Sequence, residues 1–162
     1  MEPIGIDATG YPHIKKAVKT LLNQYPGLGD QQILFEEIGE ESGIAFTSDA
    51  GTMVMSEKTS ITGHVTQSCQ FPFLVVFRTT ATREFQKFIV SDFLDSLGKW
   101  LCKEPVTIDG TTYKLKGYPI AEGGRIITKM SRGNSYGTTP NENKSQDWVL
   151  PINLHYTYEY DI

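Results

Sequence analysis

The chain has 162 residues, of which 39% are hydrophobic and 21% charged, and its formal net charge is −4. A chain of this length can bury a full core as one domain, so we expect a single domain over residues 1–162. The acidic balance argues against a protein that coats nucleic acid, because such binding relies on cationic side chains that displace counterions from phosphates. No specific nucleic-acid partner is therefore expected.

Nothing in the sequence predicts a membrane partner or export. The opening, MEPIGIDATG, lacks the cationic and apolar segments of a signal peptide, and no stretch approaches the ~20 apolar residues that span a bilayer. Two cysteines are present, Cys69 in an apolar strand pattern and Cys102 at the end of an apolar helix pattern. Their spacing does not match a metal site, so we expect buried free thiols in a reducing cytoplasm.

The first predicted element is an amphipathic helix. Apolar residues recur on one helical face over residues 14–25, and Pro26 and Gly27 end the pattern. Short strand-like segments follow at residues 33–38, 43–47 and 52–56, with turn-forming residues between them. We interpret these three segments as a meander of antiparallel strands.

A longer alternating pattern covers residues 60–79, with Ile61 at the start of its apolar face. Its second half, residues 73–77, is apolar on both faces, which predicts a central strand. Pro72 cannot donate a ladder hydrogen bond, so it predicts a bulge or an edge position. Twenty residues at about 3.3 Å each exceed the length that a compact domain needs, so the first half is expected to project as an arm.

A second helix is predicted after Thr80 or Thr82, either of which can act as its N-cap. Glu84 in its first turn and Lys99 near its end suit the helix dipole. Its apolar stripe is expected to lie on the sheet as core. The stripe consists of Phe85, Phe88, Ile89, Phe93, Leu97, Trp100 and Leu101.

The remainder of the chain predicts further strands. Asp109 and Gly110 indicate a hairpin, and strands are expected at residues 125–130 and 149–160. Between those strands, residues 131–147 are polar and form either a flexible loop or an interface loop that orders on assembly. The predicted fold class is α+β, with a mostly antiparallel or mixed sheet packed by two main helices and a projecting β-hairpin or arm.

Catalytic and metal-binding motifs are absent from the sequence. His13, His64 and His155 are scattered, and the chain lacks the GxSxG and glycine-rich phosphate-binding patterns. Acidic pairs are better explained as solvated residues. These pairs are Glu36 with Glu37, Glu40 with Glu41, and Asp92 with Asp95 on the solvent side of the second helix. We therefore assign no catalytic, cofactor-binding or metal-binding residue, predict no cofactor, and expect a protein that is not an enzyme.

Two segments carry a resemblance to a known family. They are HVTQSCQFPFLVVFRTTATREFQKFIVSDFLDSLGKWL at residues 64–101 and the closing WVLPINLHYTYEYDI at residues 148–162. Together with the order of elements, they make nearly the whole chain resemble the tail terminator and minor structural proteins of tailed phages and phage tail-like particles.

The resemblance implies an α+β subunit of a homohexameric ring at the head-proximal end of the tail. Such a virion protein would stop polymerisation of the tail tube, and of the sheath where the tail has one, and would join the tail to neck and connector proteins in the collar region. It would be assembled in the host bacterial cytoplasm. Elements that could reach a neighbouring subunit are the region 49–66, as a hairpin, and the loop 131–147.

Two alternatives remain open at this point. One is a different neck component, such as a head-tail connector or head-completion protein, which would share the size, the charge and the lack of chemistry. The other is a small enzyme with a dispersed site, for example an acyltransferase that uses His64 or His155.

Overall fold

The computed structural model describes residues 11–49, 53–80 and 83–162. In these ranges the chain forms two helices and nine strands, as expected for an α+β fold. The helices are α1 (Tyr11–Leu22) and α2 (Glu84–Leu101). The strands are β1 (Ile33–Phe35), β2 (Gly43–Ser48), β3 (Met53–Thr59), β4 (His64–Thr79), β5 (Val106–Ile108), β6 (Thr111–Tyr113), β7 (Arg125–Arg132), β8 (Tyr136–Gly137) and β9 (Gln146–Asp161).

Two long antiparallel strands, β4 and β9, form the centre of a seven-stranded sheet. Each has 16 residues, and they pair along their whole lengths. β2 and β3 pair with different halves of the other edge of β4, while β7 and β8 pair with β9. The second half of β4 therefore lies between β2 and β9, which confirms the central strand predicted at residues 73–77.

The predicted antiparallel meander is wrong. β1 pairs with β2 in parallel, with Ile33 opposite Ile44, and β2 is a neighbour of β4 rather than of β3. Apolar alternation is compatible with either strand direction, so the short segments did not contain this information. The side chain of Asn23 hydrogen-bonds both the N–H and the carbonyl of Ile33 and so occupies the outer edge of β1.

Pro72 occupies a gap between two partners of β4. Phe73 pairs with Ser48 of β2, and Gln70 pairs with Met53 of β3. The Pro72 carbonyl accepts a hydrogen bond from Asp49 N–H (3.1 Å), and its nitrogen faces the same side of the strand. The missing donor thus lies in the gap between the pairing of β2 and that of β3, so Pro72 is tolerated within a central strand rather than at the predicted bulge or edge position.

The first half of β4 forms a hairpin with β3. A turn at residues 60–63 joins the two strands, and the pairing shifts by one residue between Val54 and Ser56. This is the hairpin expected within the region 49–66. Ile61, which was predicted to lie in the strand, lies instead in the turn and is fully exposed.

Both helices pack with one face of the sheet in a single apolar cluster. The ring of Tyr25, just after α1, lies 5.6 Å from that of Phe93 and 5.5 Å from that of Trp100, and so links the two helices. The central strands contribute alternate residues to this inner face. These residues are Val65, Cys69, Phe71, Phe73 and Val75 in β4 and Leu150, Ile152, Leu154 and Tyr156 in β9.

The predicted core stripe of α2 is only partly buried. Leu97, Trp100 and Leu101 lie in the core, but the N-terminal residues Phe85, Phe88 and Ile89 are exposed. The spacing of apolar residues fixes their angle around a helix but not how far the helix overlaps the sheet.

The predicted capping of α2 was also wrong. Arg83 is the N-cap residue and makes no side-chain cap hydrogen bond. Thr80 is three residues earlier in the chain, and Thr82 lies outside the described residues.

The last part of the chain is more regular than the sequence indicated. Asp109 and Gly110, both with positive φ, form the predicted tight turn between β5 and β6. Residues 131–147 begin within β7, contain β8 and end within β9. Hydrogen bonds to other parts of the same chain hold this segment. These include Ser135 Oγ to Asp95 Oδ1 (2.7 Å), Asn143 Nδ2 to the Glu40 carbonyl (3.0 Å) and Thr138 N to the Asp147 carbonyl (2.8 Å).

Candidate interaction surfaces

The three histidines lie in separate places. His13 Nδ1 is 3.3 Å from a Glu122 carboxylate oxygen, beside α1. His64 Nδ1 is 2.9 Å from Asp161, at the end of the β4–β9 pair. His155 lies opposite Gln70, six residues further along β4 than His64, or roughly 20 Å at the rise of a strand. The structure does not bring these histidines together.

His64 has acidic rather than nucleophilic neighbours. Its Nδ1 contacts Asp161, and its Nε2 is 3.8 Å from a Glu159 carboxylate oxygen. Ser60 is nearby, but its hydroxyl accepts a hydrogen bond from the His64 backbone N–H. An acyl-transfer site needs an imidazole nitrogen directed at a hydroxyl or thiol. The contacts of His64 instead tie the C-terminal end of β9 to the start of β4.

Both thiols are free, and both are shielded. Cys69 is buried on the inner face of the sheet, as predicted, whereas Cys102 is half-buried just after α2. Burial raises the pKa of each thiol above its ordinary value. The thiolate is the nucleophilic form, so this environment makes both cysteines poor nucleophiles.

The acidic pairs have structural partners in two cases. A Glu36 carboxylate oxygen accepts a hydrogen bond from Thr47 Oγ1 (3.3 Å). Asp95 was predicted to lie on the solvent side of α2, but it is half-buried and accepts the Ser135 hydroxyl (2.7 Å). Asp92 is exposed as predicted. Within the described ranges, no group of three or more His, Cys, Asp or Glu residues is placed to hold a metal ion.

The part of the chain that the structure describes contains no helix long and apolar enough to cross a membrane.

One end of α2 carries an exposed apolar surface. Phe85, Phe88 and Ile89 are 57%, 60% and 58% exposed. Their spacing of three and four residues places them on one helical face, and we name these three residues the α2 patch. Beside it is a groove of about 370 Å³ between α2 and the end of β4. The groove is lined by Phe77, Thr79, Thr80, Gln86, Ile89 and Val90.

The edge strand β3 carries exposed apolar side chains on both faces of the sheet, since Val54 is opposite the inward-facing Cys69 and Met53 is opposite Gln70 on the other face. All seven of its residues are exposed, and among the described strands it pairs with β4 alone. Its first three residues, Met53, Val54 and Met55, are 41%, 55% and 57% exposed, and we name them the β3 edge. Met55 occupies the register shift against β4, so it sits on a bulge.

The sheet face opposite the helices is polar over the first half of β4, whereas its other half carries Leu74, Val76 and Val149. Its centre carries Ser68, Gln70, His155 and Thr157, which line a shallow groove of about 350 Å³ with Met55 and Lys129 at its sides. The Asn153 amide donates to the Gln70 side chain across this face (3.0 Å).

Comparison of the sequence with known proteins gave no relative: no protein-family model matches the chain, and no curated protein matches it.

Sequence reasoning missed the α2 patch because it placed these residues in the core. It identified the region of the β3 edge, but not which of its side chains are exposed. One signal was available, since the predicted stripe of α2 contains four aromatic residues, a residue class enriched at protein–protein interfaces.

Proposed function

We propose that the chain is a structural assembly subunit, a tail terminator that forms a homohexameric ring at the head-proximal end of a phage or phage-like tail. In this role the ring stops polymerisation of the tail tube and sheath and joins the tail to the neck. The subunit is made in the bacterial cytoplasm and becomes part of the particle. Its partners are copies of itself, tube and sheath subunits, and connector proteins.

The α2 patch is the observation that carries this proposal. Full burial of a side chain such as Phe or Ile is worth about 1.5–3 kcal/mol, so leaving three of them more than half exposed forgoes several kcal/mol. Clustered exposed apolar residues of this kind mark sites of protein–protein contact. A subunit that covers the patch on assembly recovers this free energy.

The surroundings of the histidines and cysteines support binding rather than catalysis. The histidines are separate, and His64 is held between carboxylates. The thiols are shielded, and burial raises the pKa of both. These features favour an assembly subunit over the dispersed-site enzyme.

Deletion of the gene from the producing genome tests the proposal and separates it from a different neck component. Loss of a terminator should give tails of uncontrolled length that carry no head, because nothing stops the tube. Loss of a connector or head-completion protein should instead give tails of normal length detached from heads. Tail lengths measured by negative-stain electron microscopy distinguish these results, with the wild-type gene supplied in trans as the control. Normal, joined particles in the deletion strain would overturn the proposal.

A further inference from the structure

We propose that a surface of lysine residues at the end of α2 binds an acidic surface beside β2 on a second copy of this chain. The inference rests on the proposed function in one respect, namely that the chain assembles with copies of itself. It adds which residues meet and in what arrangement.

The charges of the chain are unevenly distributed along the sequence. Residues 99–132 contain seven of the 15 cationic residues but only three of the 19 acidic ones. This fifth of the chain therefore has a net charge of +4, whereas the rest of the chain has −8. An acidic protein with one positive region offers opposite charges to a second copy of itself.

Five exposed lysines of the positive region lie around the end of α2, and we name them the lysine surface. Tyr118 joins two of its segments, because its hydroxyl donates to the carbonyl of the last α2 residue (2.7 Å) and its ring centre lies 4.6 Å from Lys103 Nζ. Burial raises the pKa of the nearby Cys102 thiol, while the charges of Arg132 and Lys129 act in the opposite direction. The five residues are Lys99, Lys103, Lys114, Lys116 and Lys129.

Carboxylates near the lysine surface do not cancel its charge. Glu104 is balanced by Arg132, with 3.2 Å between Oε2 and Nη2. Glu122 lies on the side of α1 instead. With Asp95 and Asp109 counted against the five lysines, the lysine surface keeps a charge of +3.

The acidic surface is formed by the connection between β1 and β2 and by the turn before β9. Asn143 Nδ2 donates to the Glu40 carbonyl (3.0 Å) and so holds the two segments together. Four exposed glutamates and the neighbouring Lys144 give this surface a charge of −3. The glutamates are Glu37, Glu40, Glu41 and Glu142.

Other charged residues near the acidic surface are balanced within the subunit. Arg78 donates to the Gly39 carbonyl (3.1 Å), and its charge is offset by Asp147, with 2.7 Å between Nε and Oδ1. Glu36 is at the other end of the connection, where it accepts a hydrogen bond from Thr47. The count of −3 is therefore unchanged by these residues.

The two surfaces lie at diagonally opposite corners of the sheet. β2 and β7 flank the central pair of strands on opposite sides. Along the strands, Gly43 beside the acidic surface pairs with Arg78, whereas Lys129 lies in the row of Gln70. Eight residues of β4 separate these rows, about 26 Å at the rise of a strand. One subunit cannot join its own two surfaces, and a contact between two different surfaces is head-to-tail and closes a ring when the rotation permits.

A second copy of the chain fits both surfaces at once. In the free subunit, like charges repel one another within each surface. One head-to-tail contact places +3 against −3 and relieves both repulsions. Pairing of like surfaces would instead juxtapose like charges.

A charge exchange tests the pairing. Lys114→Glu with Lys116→Glu reverses part of the lysine surface, and Glu40→Lys with Glu41→Lys reverses part of the acidic surface. Each double variant should lower incorporation into particles by about tenfold or more, since like charges then meet. All four substitutions in one chain should restore incorporation, because each contact again joins opposite charges. Lys16→Glu with Lys19→Glu, at exposed positions on α1, is the matched control and should incorporate normally.

Incorporation is measured by quantitative immunoblotting of particles purified from a deletion strain that carries each variant gene. Urea unfolding of the purified variants checks that each one folds. Where a double variant does not fold, the single substitutions Lys116→Glu and Glu41→Lys replace it, separately and combined.

Two results would overturn the inference. Normal incorporation of the folded lysine variant would show that the lysine surface is not part of the contact. Failure of the combined variant to regain incorporation would show that the lysines meet a different partner, such as a nucleic acid or another acidic protein. Failure of the proposed function is recognised separately, because restored incorporation of a protein found away from the head-proximal end of the tail would retain the pairing and refute the terminator.

Discussion

One side chain, that of Asn23, joins the end of α1 to the outermost strand of the sheet. The Asn23 amide, one residue past α1, donates to the Ile33 carbonyl (2.9 Å) and accepts from the Ile33 N–H (2.8 Å). It supplies both bonds that a neighbouring strand would supply, and it also contacts the Lys19 carbonyl (2.8 Å). The end of the helix is thereby fixed to the outermost strand. Sequence alone could not identify this contact, because no sequence motif links an asparagine after a helix to a strand residue ten positions later.

Replacement of Asn23 by alanine should therefore destabilise the protein. Two backbone groups of Ile33 lose their partner, and a loss of about 1–3 kcal/mol is expected for partly buried groups. Urea unfolding monitored by tryptophan fluorescence measures this change. Asn134→Ala, at an exposed position, serves as the control and should stay within about 0.5 kcal/mol of wild type. Equal unfolding midpoints for wild type and Asn23→Ala would contradict the bridging role.

Burial of Cys69 predicts a pH dependence at alkaline pH. Burial raises the pKa of this thiol, so the folded state holds the proton more tightly than the unfolded state. Its contribution to stability is fully present below the thiol pKa of the unfolded chain, about 8.5, and is lost as pH rises from there towards the higher folded value. Wild type should lose more stability than Cys69→Ala between these pH values.

The raised thiol pKa also predicts slower alkylation of folded Cys69 than of the unfolded chain at pH 8, measured by iodoacetamide labelling and mass spectrometry. Equal rates would contradict it.

At the scale of elements, the spacing of apolar residues shows which side of a helix faces the core, but it does not show how much of the helix lies over the sheet. The period of α2 correctly placed Leu97 and Trp100 in the core. The same spacing wrongly placed Phe88 in the core, because helical spacing does not show where the sheet beneath the helix ends. The Asp109–Gly110 hairpin was predictable since its turn chemistry is local. The order within residues 131–147 was not, because the bond from Ser135 to Asp95 joins positions 40 residues apart.

In the turn before β7, replacement of Gly124 by alanine is expected to lower stability strongly. Gly124 has φ +76°, and a Cβ built on it would lie 2.6 Å from the Glu159 carbonyl oxygen. Gly124→Ala should therefore lower stability by about 1–3 kcal/mol through strain and collision with β9. Gly117→Ala is the control, because a Cβ there meets open space. Thermal unfolding followed by circular dichroism measures both, and similar melting temperatures for the two variants would refute this account of the turn.

At the scale of the whole molecule, the helices cover one face of the sheet and leave apolar side chains at two separate places. The order of strands around β4 and β9 separates these places, so each is free to meet another molecule. The sequence predicted the α+β class and the hairpin. It did not predict the apolar surface on α2, which depends on how far that helix extends past its support.

Substitution of Phe88 by aspartate should separate folding from assembly. The residue is 60% exposed, so loss of its remaining burial should lower the free energy of unfolding by only about 1 kcal/mol. A charge in the centre of an apolar contact should nevertheless abolish incorporation into particles. Ile120→Asp, at a 93% exposed position, should assemble normally. Unfolding in urea and complementation of a deletion strain measure the two properties, and full complementation by the Phe88 variant would show that the patch is not an interface.

The position of the subunit in a native particle tests the central claim most directly. A short epitope inserted at the exposed Asp109–Gly110 turn, where a Cβ on Gly110 meets open space, allows labelling without disturbing either apolar surface. Electron microscopy of labelled particles should show a single ring of label at the head-proximal end of each tail. Label along the tube, at the distal end, or absent from intact particles would contradict the assignment as a tail terminator.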